Sequence, residues 1–328
     1  MVVSSKDDGV FYFSNWKCFA LLESPLAQAM ISIECLEITL LFLISLFWLL
    51  KQRKIQPPYR VVALHNFGVT LSFWIIYAIY RSIIWLITWC PFTDDHRIAL
   101  RCEIAETVFH WLAASSLLAT VLQPLCRGLD RLGDDTPSSR WAPVSRILLA
   151  SLTVLIISYI AVLTYEHETF IRTAGAISTH RHRDMAKAAE LLWLLLAFAG
   201  AIKMAVALRR ASAAATAAAV RVIPGALRGW TYALAFSLFA YGFVRAFVAF
   251  WNPPAMVFVF DRAGYLAENV PVLVLPVAFE LLALLAVVEV AQGLGGVLRH
   301  PEASQHESLH VSHPALGQIL RHTSQYTI

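Results

Sequence analysis

Charge is what this chain has least of. Asp, Glu, Lys and Arg make up 15% of its 328 residues, while hydrophobic residues make up 58%. A soluble globular fold of that length needs more polar surface to cover its core, so that class is excluded. Other absences exclude particular chemistries. No Gly-rich loop ends in Gly-Lys-Ser or Gly-Lys-Thr, so the chain has no phosphate-binding loop with which to drive transport by ATP. Its five cysteines lack metal-ligand spacing. No nucleophile–base set, metal-ligand quartet or cofactor motif stands out, so no catalytic residue is named and neither metal nor cofactor is expected. Basic residues do not alternate with stacking aromatics, so the formal net charge of +4 does not point to nucleic acid. Met1–Asn15 lacks the apolar centre of a cleavable signal peptide, which leaves the first apolar run to serve as the anchor.

What the chain does have is apolar sequence in seven long runs: Ala29–Leu50, Val61–Trp89, Ile98–Val121, Ile147–Leu163, Ala188–Leu208, Trp230–Trp251 and Asn269–Ala291. At about 1.5 Å per helical residue, such runs can cross a hydrocarbon layer about 30 Å thick. The expected fold is an all-α polytopic membrane protein of seven transmembrane helices, with the lipid bilayer as its immediate partner. Residues 1–27 form an outer N-terminal segment and 28–298 the transmembrane domain. The polar, His-rich stretch 299–328 has no periodicity and reads as a disordered tail.

Lys and Arg set the orientation, because positive loops stay cytoplasmic. The inner ends and following loops of the first, third and fifth spans hold 13 of them, counting Lys203, and the opposite ends and loops 7, counting Arg101. This places the N-terminus outside and the C-terminus in the cytoplasm, in the plasma membrane or an endomembrane. The basic outer loop Tyr165–Lys187 runs against the trend. Trp85, Trp89 and Trp251 mark outer span ends, and Trp48 and Trp141 inner ones, as an interfacial belt would. Cys90 and Cys102 flank the short outer loop between the second and third spans. They suit a disulfide in an oxidising lumen and equally suit free interfacial thiols. The Ala-rich stretch Ala211–Ala219 favours helix and should extend the fifth span into the cytoplasm. The basic region 203–228 offers a surface to a cytoplasmic partner.

The few charges inside the runs are the functional candidates, since an ionisable group in a bilayer is costly and faces the bundle interior or a wet cavity. Glu34 and Glu37 share a face of the first span. Glu103, Glu106 and His110 share one on the third. Arg81, Glu190, Arg245 and Glu268 lie toward the outer ends of the second, fifth, sixth and seventh. Together they could line one polar cavity opening outward, with Arg81 and Arg245 facing the carboxylates. Each taken singly could instead be a polar cap or a side chain snorkelling to the headgroups. Glu280 is the strongest single residue, placed near the middle of the seventh run and four residues after Pro276.

Two parts of the chain resemble each other. Tyr77-Ala-Ile-Tyr-Arg81 in the second span matches Tyr241-Gly-Phe-Val-Arg245 in the sixth. An acid follows each arginine, Glu103 after 22 residues and Glu268 after 23. Glu37 and Glu190 head similar apolar runs with cationic inner ends, Lys51–Lys54 and Lys203–Arg210. A 3+1+3 plan follows, in which spans one to three and five to seven are parallel repeats and the fourth a linker. Such repeats place binding sites at their interface. Chance likeness between apolar segments is the competing explanation.

Seven spans with an outside N-terminus invite comparison with rhodopsin-like receptors, but the residues differ. The third span ends Leu122-Gln-Pro-Leu-Cys-Arg127 and the seventh Val290-Ala-Gln-Gly-Leu-Gly, without the acid–Arg–Tyr and Asn-Pro-x-x-Tyr signatures. The seventh span has no lysine for retinal. Phe243-Val-Arg245-Ala-Phe followed by Glu268 is similar to fungal seven-span proteins of the lipid-translocating exporter type, over the last two or three spans. That resemblance implies a fungal membrane protein handling amphipathic small molecules. The expected function is to bind such a molecule in the outer cavity for export, translocation or sensing, in a specialised-metabolite or lipid pathway. The alternative is a membrane-embedded acid–base enzyme, a cyclase or isomerase using Glu103 with Glu106 or Glu280.

Overall fold

Seven helices, each long and apolar enough to cross a membrane, make up nearly all of the described residues. The computed structural model describes residues 2–4, 11–13, 25–54, 64–89, 96–133, 141–172, 181–218, 223–251, 274–295 and 297. Two short strands, β1 (Val2–Ser4) and β2 (Phe11–Phe13), form an antiparallel pair ahead of the helices. Glu268, Cys90 and the tail 299–328 lie outside the described residues, and so does the expected Cys90–Cys102 bridge.

Helix α1 spans Pro25–Lys54 and α2 Leu64–Trp89. Helix α3 begins as His96–Thr120, passes through a π-helical turn at Val121–Leu125 and continues as Cys126–Gly133. Helix α4 is Trp141–Arg172, α5 is Arg181–Ala218, α6 is Gly225–Trp251 and α7 is Val274–Gly295. Leu, Ile, Ala and Phe dominate these stretches, and their hydroxyl residues return to the helix. Ser32, Thr39, Ser45, Ser72, Ser82 and Thr164 each donate to the carbonyl four residues back, at 2.7–2.9 Å. No hydroxyl in that set needs water, which suits an apolar solvent.

Several helix ends correct the sequence reading. The third run does not stop at Val121, and Arg127 and Arg131 are helical rather than in a loop. Pro124 has no N–H to donate, and the chain absorbs it by widening to a π turn instead of breaking. The Cys126 N–H turns back to the carbonyls of Val121 and Gln123, and the carbonyl of Leu122 accepts the Trp141 indole N–H at 3.3 Å. The outer loop read as Tyr165–Lys187 is shorter, since α4 runs on to Arg172 and α5 starts at Arg181. Glu166 closes that connection: it accepts the Arg181 backbone N–H at 3.2 Å and pairs with the His182 ring. The Ala-rich extension of the fifth span is present to Ala218.

The core forms where the helices meet. Trp74, Leu117, Leu118, Trp193, Leu238, Ala283 and Val287 are fully buried. Large apolar side chains also cover the outside: Phe42 and Leu46 on α1, Ile147 and Val154 on α4, Leu195 on α5 and Phe236 on α6 are each more than half exposed. A water-soluble monomer rarely shows so extended an apolar surface, whereas lipid tails accept it. The seven apolar helices and this surface together suggest an integral, multi-pass membrane protein.

Candidate functional site

Glutamates near the starts of α1 and α5 meet arginines near the ends of α2 and α6. The Arg81 guanidinium donates from Nε to Glu34 Oε1 at 2.8 Å and from Nη2 to Glu34 Oε2 at 3.0 Å. The same Nη2 also bonds Glu37. Its Nη1 donates to the Tyr77 hydroxyl, one turn earlier on α2, at 3.2 Å. Ser82 Oγ lies 3.3 Å from Glu34 Oε2, a longer alternative to its bond with the Ala78 carbonyl. In the other assembly, Arg245 Nη2 bonds Glu190 and Nη1 donates to the Tyr241 hydroxyl, again one turn earlier, at 3.2 Å. The Arg245 guanidinium also lies 4.9 Å from the centre of the Trp111 ring. Both arginine side chains are mostly buried, 15% and 13% exposed. They do not snorkel; each is committed to carboxylates inside the bundle.

Aromatic rings join the two assemblies. Trp74 sits edge-on to Tyr77 at 5.6 Å, to His110 at 5.9 Å and to Tyr241 at 6.1 Å between ring centres. His110 packs on Tyr77 at 4.7 Å, and Trp193 on Tyr241 at 5.3 Å. Trp193 is fixed in turn by its indole N–H, which donates to the Ala114 carbonyl at 3.2 Å. Glu280 on α7 feels Arg81 and Glu37 from one assembly and Arg245 from the other. It is 2% exposed.

Polar atoms in this cluster exceed the partners the protein gives them. Both ring nitrogens of His110, the indole N–H of Trp74, and one oxygen each of Glu37, Glu190 and Glu280 are buried without a hydrogen bond among the described residues. Native interiors hold few such atoms, and several in one place call for water, protons or a ligand. The arrangement can hold a polar head against carboxylates with an apolar body against rings. Among the described residues no group of His, Cys, Asp and Glu is placed to hold a metal.

The structure therefore brings together Glu37, Arg81, His110, Glu190, Arg245 and Glu280 of the expected residues. Glu106 is half-buried beside them, in the field of Arg81 and Glu34, and Glu103 is exposed. Glu280 lies six residues after Val274, where the described part of α7 begins. Tyr77, Tyr241, Trp74 and Trp111 were not singled out as site residues, although Tyr four residues before Arg was visible in the sequence and puts hydroxyl and guanidinium on one helix face.

A second polar layer occupies the opposite end of the bundle. Lys203 on α5 pairs with Asp130 in the continuation of α3 at 2.8 Å. Lys51 on α1 reaches Glu289 on α7 at 3.4 Å and also bonds Gln292. Lys203 had been assigned to the interface; instead its side chain is 11% exposed, because α3 runs on past Pro124 to meet it.

No protein-family model, curated protein or solved structure matches the chain.

Proposed function

We propose that this protein spans the membrane seven times and binds an amphipathic small molecule in a polar cavity open to the outside, to export, translocate or sense it. The observation that carries the reading is the convergence of buried carboxylates and arginines from α1, α2, α5, α6 and α7 on unpartnered polar atoms. A bundle that needed only stability would not retain them, because buried charge is costly and replaceable by apolar packing. The Lys and Arg bias supports an outside N-terminus, a cytoplasmic C-terminus and a partner surface at 203–228. The resemblance around Arg245 supports a setting in fungal specialised or lipid metabolism.

The 3+1+3 plan is part of this proposal. Its support is that each presumed copy pairs an arginine of its second helix with a glutamate of its first and with its own tyrosine one turn earlier, at 3.2 Å in both. At the opposite end each ion pair joins one copy to the other, α1 to α7 and α3 to α5. That pattern suits two bodies fastened at one end and separable at the other, as alternating access requires.

The enzyme reading draws on Glu280, a buried carboxyl with an oxygen that has no partner among the described residues, and on the buried rings of Tyr77 and Tyr241, which could face a carbocation. Metabolite profiling of a strain lacking the protein separates the readings. Retention of a finished product inside the cells supports export, and a lost response to a cue without chemical change supports sensing. Accumulation of an unconverted precursor replaces both with the enzyme.

A further inference from the structure

The site holds more negative than positive charge. Glu34, Glu37, Glu190 and Glu280 are all buried, with exposures of 7%, 0%, 7% and 2%. Facing them are two arginines. Arg81 serves Glu34 and Glu37, and Arg245 serves Glu190. Glu280 has no ion pair among the described residues, and its cationic neighbours are those same two arginines. Two charges are left over, and the interior must neutralise them.

Hydrogen bonding shows the same imbalance. Among the described residues, three carboxylate oxygens, on Glu37, Glu190 and Glu280, lack a donor. The Nη atoms of both arginines are already directed at carboxylates and tyrosines. Trp74, wholly buried, leaves its own N–H unused, and the His110 ring nitrogens have no partner. The charges acting on Glu280 are those of Glu34 and Glu37 on α1, Arg81 on α2 and Arg245 on α6, and Glu280 acts in turn on Tyr77 and Tyr241. His110 on α3 lies against Tyr77, and Glu190 on α5 is bound to Arg245.

We propose that the occupant is a cationic amphiphile whose charged head carries N–H donors, a protonated amine or a guanidinium, and that it enters in exchange for protons held by the surplus carboxyls. This rests on the reading of the cluster as a small-molecule site and names its ligand class. In the exchange a carboxylic O–H of Glu280 breaks and its proton leaves to water. The carboxylate then accepts an N–H of the ligand, so the charge in the site is unchanged. The ligand's apolar part lies against Trp74, Tyr77 and Tyr241. A quaternary ammonium would satisfy the charge but leave the carboxylate oxygens without donors, and an anion would add to the excess.

Four probes that share an apolar body test this: 2-phenylethylamine, its trimethylammonium analogue, 2-phenylethanol and 3-phenylpropionate. Binding to the full chain in lipid nanodiscs is followed by tryptophan fluorescence and by calorimetry in two buffers of different ionisation heat, with empty nanodiscs as the blank. The amine should bind at least about tenfold more tightly than the quaternary analogue, as one charge-assisted hydrogen bond is worth about 1.5–3 kcal/mol. The alcohol and the acid should bind more weakly still. About one proton should be released per amine bound, and Glu280→Gln should abolish that release. Equal binding of the alcohol or the acid overturns the cationic class while leaving a small-molecule site. Equal binding of the quaternary analogue overturns the need for N–H donors, and amine binding without proton release overturns the exchange. If no probe binds to protein whose melting is cooperative, the small-molecule reading falls with it.

Discussion

Arg245 makes three contacts that no lysine reproduces together: a bond to Glu190, a bond to the Tyr241 hydroxyl at 3.2 Å and a face contact with Trp111. Arg245→Met would leave Glu190 buried with neither oxygen paired. The expected loss is about 3–5 kcal/mol, read as a lower melting temperature in detergent, and adding Glu190→Leu should recover most of it. If the double variant melts no higher than Arg245→Met alone, the pair is not the unit that matters. Glu280 should behave differently. It has no ion pair among the described residues to lose, so Glu280→Gln keeps shape and hydrogen-bonding capacity and should leave melting unchanged while abolishing function in a complemented deletion strain. Normal function in Glu280→Gln with loss only in Glu280→Leu would reduce the residue to a structural hydrogen-bonding group. These charged residues were legible in the sequence because a charge within an apolar run is costly enough to need a reason. His110 was legible as a candidate too, but that it and Trp74 have no partner among the described residues was not, since whether a ring nitrogen finds a partner depends on which helices pack beside it, and periodicity does not say.

Helices α5 and α6 approach closely where Gly242 meets Trp193. A Cβ on Gly242 would come within 2.6 and 2.9 Å of Trp193 ring atoms. That ring has little freedom, being fully buried and hydrogen-bonded to the Ala114 carbonyl. Gly242→Val should therefore force the helices apart or displace Trp193, at a cost of about 1–3 kcal/mol. The disturbance should reach Tyr241, one residue away and 5.3 Å from the same ring. Melting and tryptophan fluorescence would both register it, and an unchanged spectrum would show that the contact yields easily. Gly225 makes the comparison, since a Cβ there would meet nothing. Helix existence was the most legible feature at this scale, because seven apolar runs allow few alternatives. Helix ends were less so. Pro124 reads as a stop, yet a π turn carries α3 past it, since a bundle neighbour can take up the freed carbonyl, as Trp141 does for Leu122. The continuation past Pro124 is also what carries Asp130 to Lys203, a pair that a third span ending at Val121 does not suggest.

For the whole molecule, the 13-to-7 bias of Lys and Arg gives a topology that tags can check. A tag at Met1 should be reached by antibody in intact cells and one at Ile328 only after permeabilisation; the reverse pattern would invert the protein and place the site on the cytoplasmic side. With the N-terminus outside, the opposite polar layer is the inner one, and it can be tested separately. Lys203 and Asp130 are 2.8 Å apart and nearly buried, and they tie α5 to the far part of α3. Reversing either charge alone puts two like charges in contact in a low dielectric and should destabilise the bundle by about 3 kcal/mol or more. Exchanging the two, Asp130→Lys with Lys203→Asp, restores the attraction but not the shape, since the longer side chain now starts from α3. Most of the lost melting temperature should return, and all of it would mean that charge alone was at work. If the halves separate at this end during transport, each single reversal should also increase the labelling by a membrane-impermeant thiol reagent of a cysteine placed at Leu132, assayed from the inner side, and the exchange should suppress it. Unchanged labelling in destabilised single variants would make the pair a static fastener, and would remove the opposite layer from any account of how the occupant moves.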